Sequence, residues 1–135
     1  MFLFLGLVDH TDSLGNAGRY GFGDLQWMTA GKGIVHGEMF PLVNKDKGNP
    51  TKFFQIWLNL PRADKMCDPN FVMHWGEDVP QWLAPDGKAH VTVWAGKLNQ
   101  VEPLTPPLRS WARDPDHAVA VWHICLPPGA QLTLP

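Results

Sequence analysis

The chain is short of cysteine, tyrosine, charge and long apolar runs. Its 135 residues include two cysteines, Cys67 and Cys125, which form no Cys-x-x-Cys pair. A disulfide framework is thereby excluded, and a reduced intracellular setting fits best. Charged residues make up only 18% and the net charge is −2. With no run of Lys or Arg, a surface that tracks the phosphates of a nucleic acid is not indicated. The apolar opening, Met1 to Val8, has no basic leader or small-residue cleavage site, and it is too short to span a membrane. No other stretch approaches the length of a membrane span, so a soluble chain is expected.

Turn formers and aromatics are plentiful. There are 13 Gly and 13 Pro, and seven Trp and seven Phe stand against one Tyr. So many breakers without a collagen period imply many turns and few long helices. The hydrophobic share is 44%. That share, at a length typical of one domain, is enough for a core without staples.

Strand signals recur along the chain. From Lys52 to Leu60, Phe54, Ile56, Leu58 and Leu60 fall on one face, which predicts a half-buried strand. Ala89 to Ala95 alternates in the same way. Ala118 to Leu126 is apolar on both faces except at His123, which predicts a strand covered on both sides. Phe2–Val8, Leu25–Thr29 and Ile34–Phe40 are shorter candidates. Ser13–Gly18 reads as a hairpin tip, Gly21–Asp24 as a tight turn, and Pro61–Val79 as irregular with a short helical turn. Asn99 to Asp116 holds four prolines and reads as a linker or long crossing loop. Gln131–Leu134 looks like the return strand of a last hairpin. The fold class expected is all-β, a barrel or sandwich.

The segment with the most chemistry is Gly33-Ile34-Val35-His36-Gly37-Glu38-Met39-Phe40. Residues two apart on a strand share a side, so His36 and Glu38 project together, flanked by Ile34 and Phe40. An imidazole beside a carboxylate on an apolar interior face is a partial metal site. It suits Fe(II), Mn(II), Ni(II) or Zn(II), and the carboxylate could also accept a substrate proton. Alone, His-x-Glu is too short to be specific. An exposed polar strand face or a His–Glu hydrogen bond is the ordinary alternative.

Two longer stretches resemble the pirin family, of the cupin superfamily. One is Asp9-His10-Thr11-Asp12-Ser13-Leu14-Gly15-Asn16 followed by Gly23-Asp24-Leu25-Gln26-Trp27-Met28-Thr29-Ala30-Gly31-Lys32-Gly33-Ile34-Val35-His36-Gly37-Glu38. The other is Gln55-Ile56-Trp57-Leu58-Asn59-Leu60-Pro61 with Asp64-Lys65-Met66. The likeness runs from Asp9 to Met66 and is looser beyond. It implies two β-barrels in a chain about twice as long, with an antiparallel cupin-type or jelly-roll fold. Residues 1–98 would then be a first barrel without its first strands, 99–117 a Pro-rich linker, and 118–135 the first strands of a second barrel.

The resemblance further implies one metal, usually Fe(II), held by three His and one Glu. His36 and Glu38 match the last His and the Glu, as metal ligands, with Glu38 also the catalytic proton acceptor. The other two His belong to a His-Pro-His-Arg-Gly-Phe-Glu-Thr motif, which this sequence does not contain. Two activities follow as expectations. One is quercetin 2,3-dioxygenase-type oxidation of a flavonoid, in which the metal engages the enolate oxygen and O2 opens the central ring. The other is an iron-dependent transcription cofactor that docks on a transcription-factor protein without reading DNA. An inactive fragment is the third reading. The expected location is cytoplasm and nucleus.

The remaining candidates have ordinary readings. His10, beside a hairpin with Asp9 and Asp12, reads as a turn-stabilising residue, with a replacement ligand as the alternative. His74 reads as surface packing, His117 as loop, and His90 and His123 as hydrogen-bonded strand residues. Trp27 could line a flavonoid-sized pocket, whereas Trp57 reads as core. Cys67 and Cys125 read as inert small hydrophobes.

Overall fold

A computed structural model describes residues 1–135. Ten short strands make three antiparallel sheets. The strands are β1 (Phe2–Leu5), β2 (Leu7–Asp12), β3 (Ala17–Gly21), β4 (Leu25–Thr29), β5 (His36–Met39), β6 (Lys52–Phe54), β7 (Asn70–His74), β8 (Gln81–Leu83), β9 (His90–Ala95) and β10 (Val121–Cys125). The sheet orders are β6-β1-β4-β7, β3-β2-β5 and β10-β9-β8. Three single 3-10 turns, Arg62–Asp64, Trp111–Arg113 and Pro115–His117, complete the regular structure. The all-β expectation therefore holds, and the helical signal of Pro61–Val79 is the first of these turns.

The first apolar run is two strands, and Gly6 divides them. Its φ is +93°, a conformation that a Cβ disfavours. A Cβ there would also lie 2.9 Å from Thr51 Oγ1. The corner sends β1 into one sheet and β2 into another. Alternate residues of β1 then serve opposite faces. Phe2 joins Leu25, Val79 and Trp94, while Leu3 joins Val8 and Tyr20. Leu3 and Val8 are completely buried. A third cluster forms from Val91, Val93 and Leu98 beneath β9.

Several strand expectations change. Only Lys52–Phe54 of the Lys52–Leu60 run is a strand. It pairs with four-residue β1, whose register slips between Leu3 and Leu5, so Ile56 to Leu60 find no partner. Trp57 is accordingly 89% exposed, not core. Three strands carried no period the sequence made visible: β3, β7 and β8. β10 is an edge strand and its residues are half-buried or exposed, not covered on both faces. Gln131–Leu134 forms no strand. Beyond the proline-rich stretch, β10 pairs with β9 from Val121 opposite Ala95 to Cys125 opposite His90, with a register shift between Val121 and Trp122 that skips Trp94. Its His123 stacks on Trp94 and meets Phe4 edge-on.

Candidate metal centre

Two short motifs face each other across one strand pair. Central strand β2 carries His10-Thr11-Asp12, and edge strand β5 carries His36-Gly37-Glu38. Their antiparallel register sets His10 opposite Glu38 and Asp12 opposite His36. Cross-strand partners share a face, and so do residues two apart. The two motifs thus make a square of four polar side chains on one side of the pair. His36 and Glu38 are together, as the spacing predicts. The square adds His10, which the turn reading placed elsewhere.

Within the square, His10 Nδ1 lies 3.9 Å from Glu38 Oε1, and His36 Nδ1 lies 4.0 Å from the same oxygen. One donor atom from each of the three residues falls within 4.8 Å of the others. His10 is 2% exposed, with Phe71 of β7 stacked on its ring at 5.2 Å. His36, on the edge strand, is exposed, and Glu38 is half-buried. The expected enclosed setting is therefore only partial. Ile34 lines the adjoining cavity, whereas Phe40 stacks instead on Phe53.

Asp12 ties the square to the β2–β3 turn. Its carboxylate accepts from the backbone N–H groups of Leu14 and Asn16 and from the Asn16 amide. It also meets His10 Nε2 at 3.2 Å. Burial alone would raise its pKa, but these hydrogen bonds outweigh that and bring the carboxyl down to about 2. On the other side of His10, the Gln26 amide nitrogen lies 2.9 Å from Nδ1.

Beside the square opens a cavity of about 610 Å³, with Glu38 and His36 in its wall. That is within the range of small-molecule sites. Its aromatic lining comes from Phe2, Trp27, Phe54, Trp57, Trp94 and Trp111. Four buried side-chain polar atoms of the protein lack a partner. Three of them, Gln26 Oε1, Thr29 Oγ1 and Trp94 Nε1, belong to residues of this lining. Buried polar groups normally find partners; these three atoms are closed off from solvent behind a lining whose accessible character is mainly aromatic.

The other histidines stand apart from the square. His74 is half-buried on β7 with its Nε2 unpartnered, and burial lowers its pKa. His117 lies in a 3-10 turn, stacked on Trp111, with Nδ1 2.8 Å from the Trp111 carbonyl. Both cysteines are free thiols. No helix is long and apolar enough to cross a membrane.

Fold and site together define an antiparallel, cupin-type β protein with a His/Glu cluster at the edge of an aromatic cavity. Residues 1–58 match the family model for pirin. A Pseudomonas aeruginosa protein named "Putative quercetin 2,3-dioxygenase" is 36% identical over 98% of this chain and 43% of its own. Pirin of Rattus norvegicus is 41% identical over 56% of this chain and 24% of its own. Among solved structures, a quercetin 2,3-dioxygenase from Acinetobacter baumannii superposes with a TM-score of 0.68 at 30% identity, covering 78% of this chain and 38% of that one. The chain thus spans less than half the length of the relatives it matches.

The donor set fits a metal ion. Imidazole nitrogen and carboxylate oxygen suit first-row divalent cations, and the three donors already lie within one small sphere. The sequence singled out His36 and Glu38, gave a ligand role to His10 only as an alternative to a turn role, and did not single out Gln26. The available signal was the mirrored spacing, His-x-Asp at 10 and 12 against His-x-Glu at 36 and 38.

Proposed function

We propose that the chain forms the metal-bearing wall of a flavonoid-oxidising cupin, with His36 and Glu38 as ligands of an Fe(II) ion. The observation that carries this reading is that both side chains stand in the wall of an aromatic cavity. When bound, the metal supplies Lewis acidity toward a substrate oxygen and redox chemistry toward O2. The chain's own groups do the rest. The indole of Trp27 presents a face against which a planar ring system stacks. Glu38 accepts the proton of the hydroxyl that becomes the enolate.

The test loads the protein anaerobically with Fe(II), removes free metal and counts iron per chain. The expected result is about one iron, lost in His36→Ala and in Glu38→Ala. Oxygen-dependent consumption of quercetin, followed by its absorbance, should track the iron content. Unchanged metal affinity in His36→Ala would sink the ligand assignment.

A second reading, an iron-dependent module that docks on a transcription-factor protein, is favoured by the exposed apolar run Ile56-Trp57-Leu58, with Trp57 89% open to solvent. Iron bound stoichiometrically with no turnover of quercetin would select it.

A further inference from the structure

Resting on the reading of His36 and Glu38 as metal ligands, we propose that His10 is a third protein ligand. In this arrangement His10, His36 and Glu38 present two imidazoles and one carboxylate to a divalent first-row cation, and Asp12 is the positioning residue for His10.

The geometry argues this in three steps. First, the register fixes proximity: His10 faces Glu38 across the β2–β5 pair, and its Nδ1 is as near to Oε1 as that of His36 is. Second, the proton on the ring is placed. An ionised carboxylate only accepts, so Asp12 requires the His10 proton on Nε2. Nδ1 is then the bare nitrogen, and it is the one turned toward Glu38. A carboxylate behind an imidazole that leaves the other nitrogen free is the usual support of a metal-bound histidine. Third, the lone pair is only provisionally occupied. Gln26 donates to Nδ1, but that orientation leaves its own Oε1 buried without a partner. A cation at Nδ1 releases the amide.

The strands also differ in freedom. His10 and Asp12 stand on the central strand of their sheet, with side chains 1% and 0% exposed. His36 stands on the edge strand, with a side chain 34% exposed. Metal–nitrogen bonds of about 2.0–2.1 Å require the donors to draw closer than they now lie. His36 is the residue free to swing inward. Two imidazoles and a carboxylate on one face, with other positions open, is the donor pattern of non-haem Fe(II) oxygenases.

The experiment uses Zn(II) and Co(II) on the full 135-residue chain. Affinity is measured by chelator competition for the parent, His10→Ala, His36→Ala, Glu38→Ala and Asp12→Asn. The parent is expected to bind one ion. His10→Ala should weaken it by at least as much as Asp12→Asn, for which a loss of about 10–100-fold is expected. Because His10 is buried, nitrogen-15 NMR of the parent's imidazoles during Zn(II) addition gives a readout that needs no variant. His10 Nδ1 should move to a metal-bound shift while Nε2 keeps its proton. An unmoved His10 Nδ1 with a shifted His36, or a His10→Ala chain that folds and binds as the parent does, overturns the proposal and leaves the His36–Glu38 pair standing. A parent chain that binds neither ion overturns both.

Discussion

At the scale of single residues, Asp12 is the side chain on which most depends. It closes the β2–β3 turn through Leu14 and Asn16 and holds His10. Its carboxyl sits at about 2, against an ordinary value of 3.8. A carboxyl with a depressed folded-state pKa stabilises the protein above its unfolded value, and that contribution is lost as pH falls toward the folded one. Metal-free protein is therefore expected to lose stability between about pH 4 and pH 2. In Asp12→Asn that acid-side slope should flatten, at a constant cost of about 1–3 kcal/mol from the weakened hydrogen bonds. Urea unfolding of both proteins across this pH range checks the expectation. None of this was legible from His10 and Asp12 read as turn residues. The sequence shows Asp-x-x-x-Asn as turn chemistry, but it does not show which strand will lie alongside.

At the scale of elements, glycines mark where strands and loops touch. Gly31 has φ +51°, and a Cβ there would lie 2.1 Å from the Cys67 carbonyl oxygen. The same carbonyl accepts from Lys32 N–H. This contact closes the loop after β4, just before the strand that carries His36 and Glu38, onto the chain before β7. Gly31→Ala cannot keep both the conformation and the contact. It is expected to destabilise the fold by more than the ~1 kcal/mol of an ordinary Gly-to-Ala strain, with a lower thermal midpoint and weaker metal binding. The backbone partner at Cys67 was not visible in the sequence. Strands were readable where both an alternating pattern and a paired neighbour existed, as at His90–Ala95. They failed where one was missing. Ile56–Leu60 alternates yet has no partner, and β7 has a partner in β4 but no alternation, its five residues being uniformly half-buried.

At the scale of the whole molecule, His123 joins two sheets. It sits on β10 and packs on Trp94 of β9 and Phe4 of β1. Burial lowers its pKa, as nearby Lys52 and His90 do to a lesser extent, and burial also lowers that of His74. The unfolded chain therefore takes up these protons first, and stability falls as pH drops below about 6.5. A lower urea midpoint at pH 5.5 than at pH 7.5 is expected, and His123→Phe should remove part of the difference. A midpoint independent of pH over that interval would refute the packing account of His123.

The corner at Gly6 has a kinetic consequence. β1 leaves β2 at that corner and pairs instead with β6, setting Phe2 opposite Phe54, while β4 pairs with β7, setting Leu25 opposite His74. Each pairing closes a loop of roughly 40–50 residues before its hydrogen bonds can form. The loop entropy is lost before the contacts repay it, so folding belongs with the slow, non-local β proteins, in milliseconds to seconds. The β2–β3 hairpin, closed locally by Asp12, is the segment able to form first, and it brings His10 into place before β5, β6 or β7 has arrived.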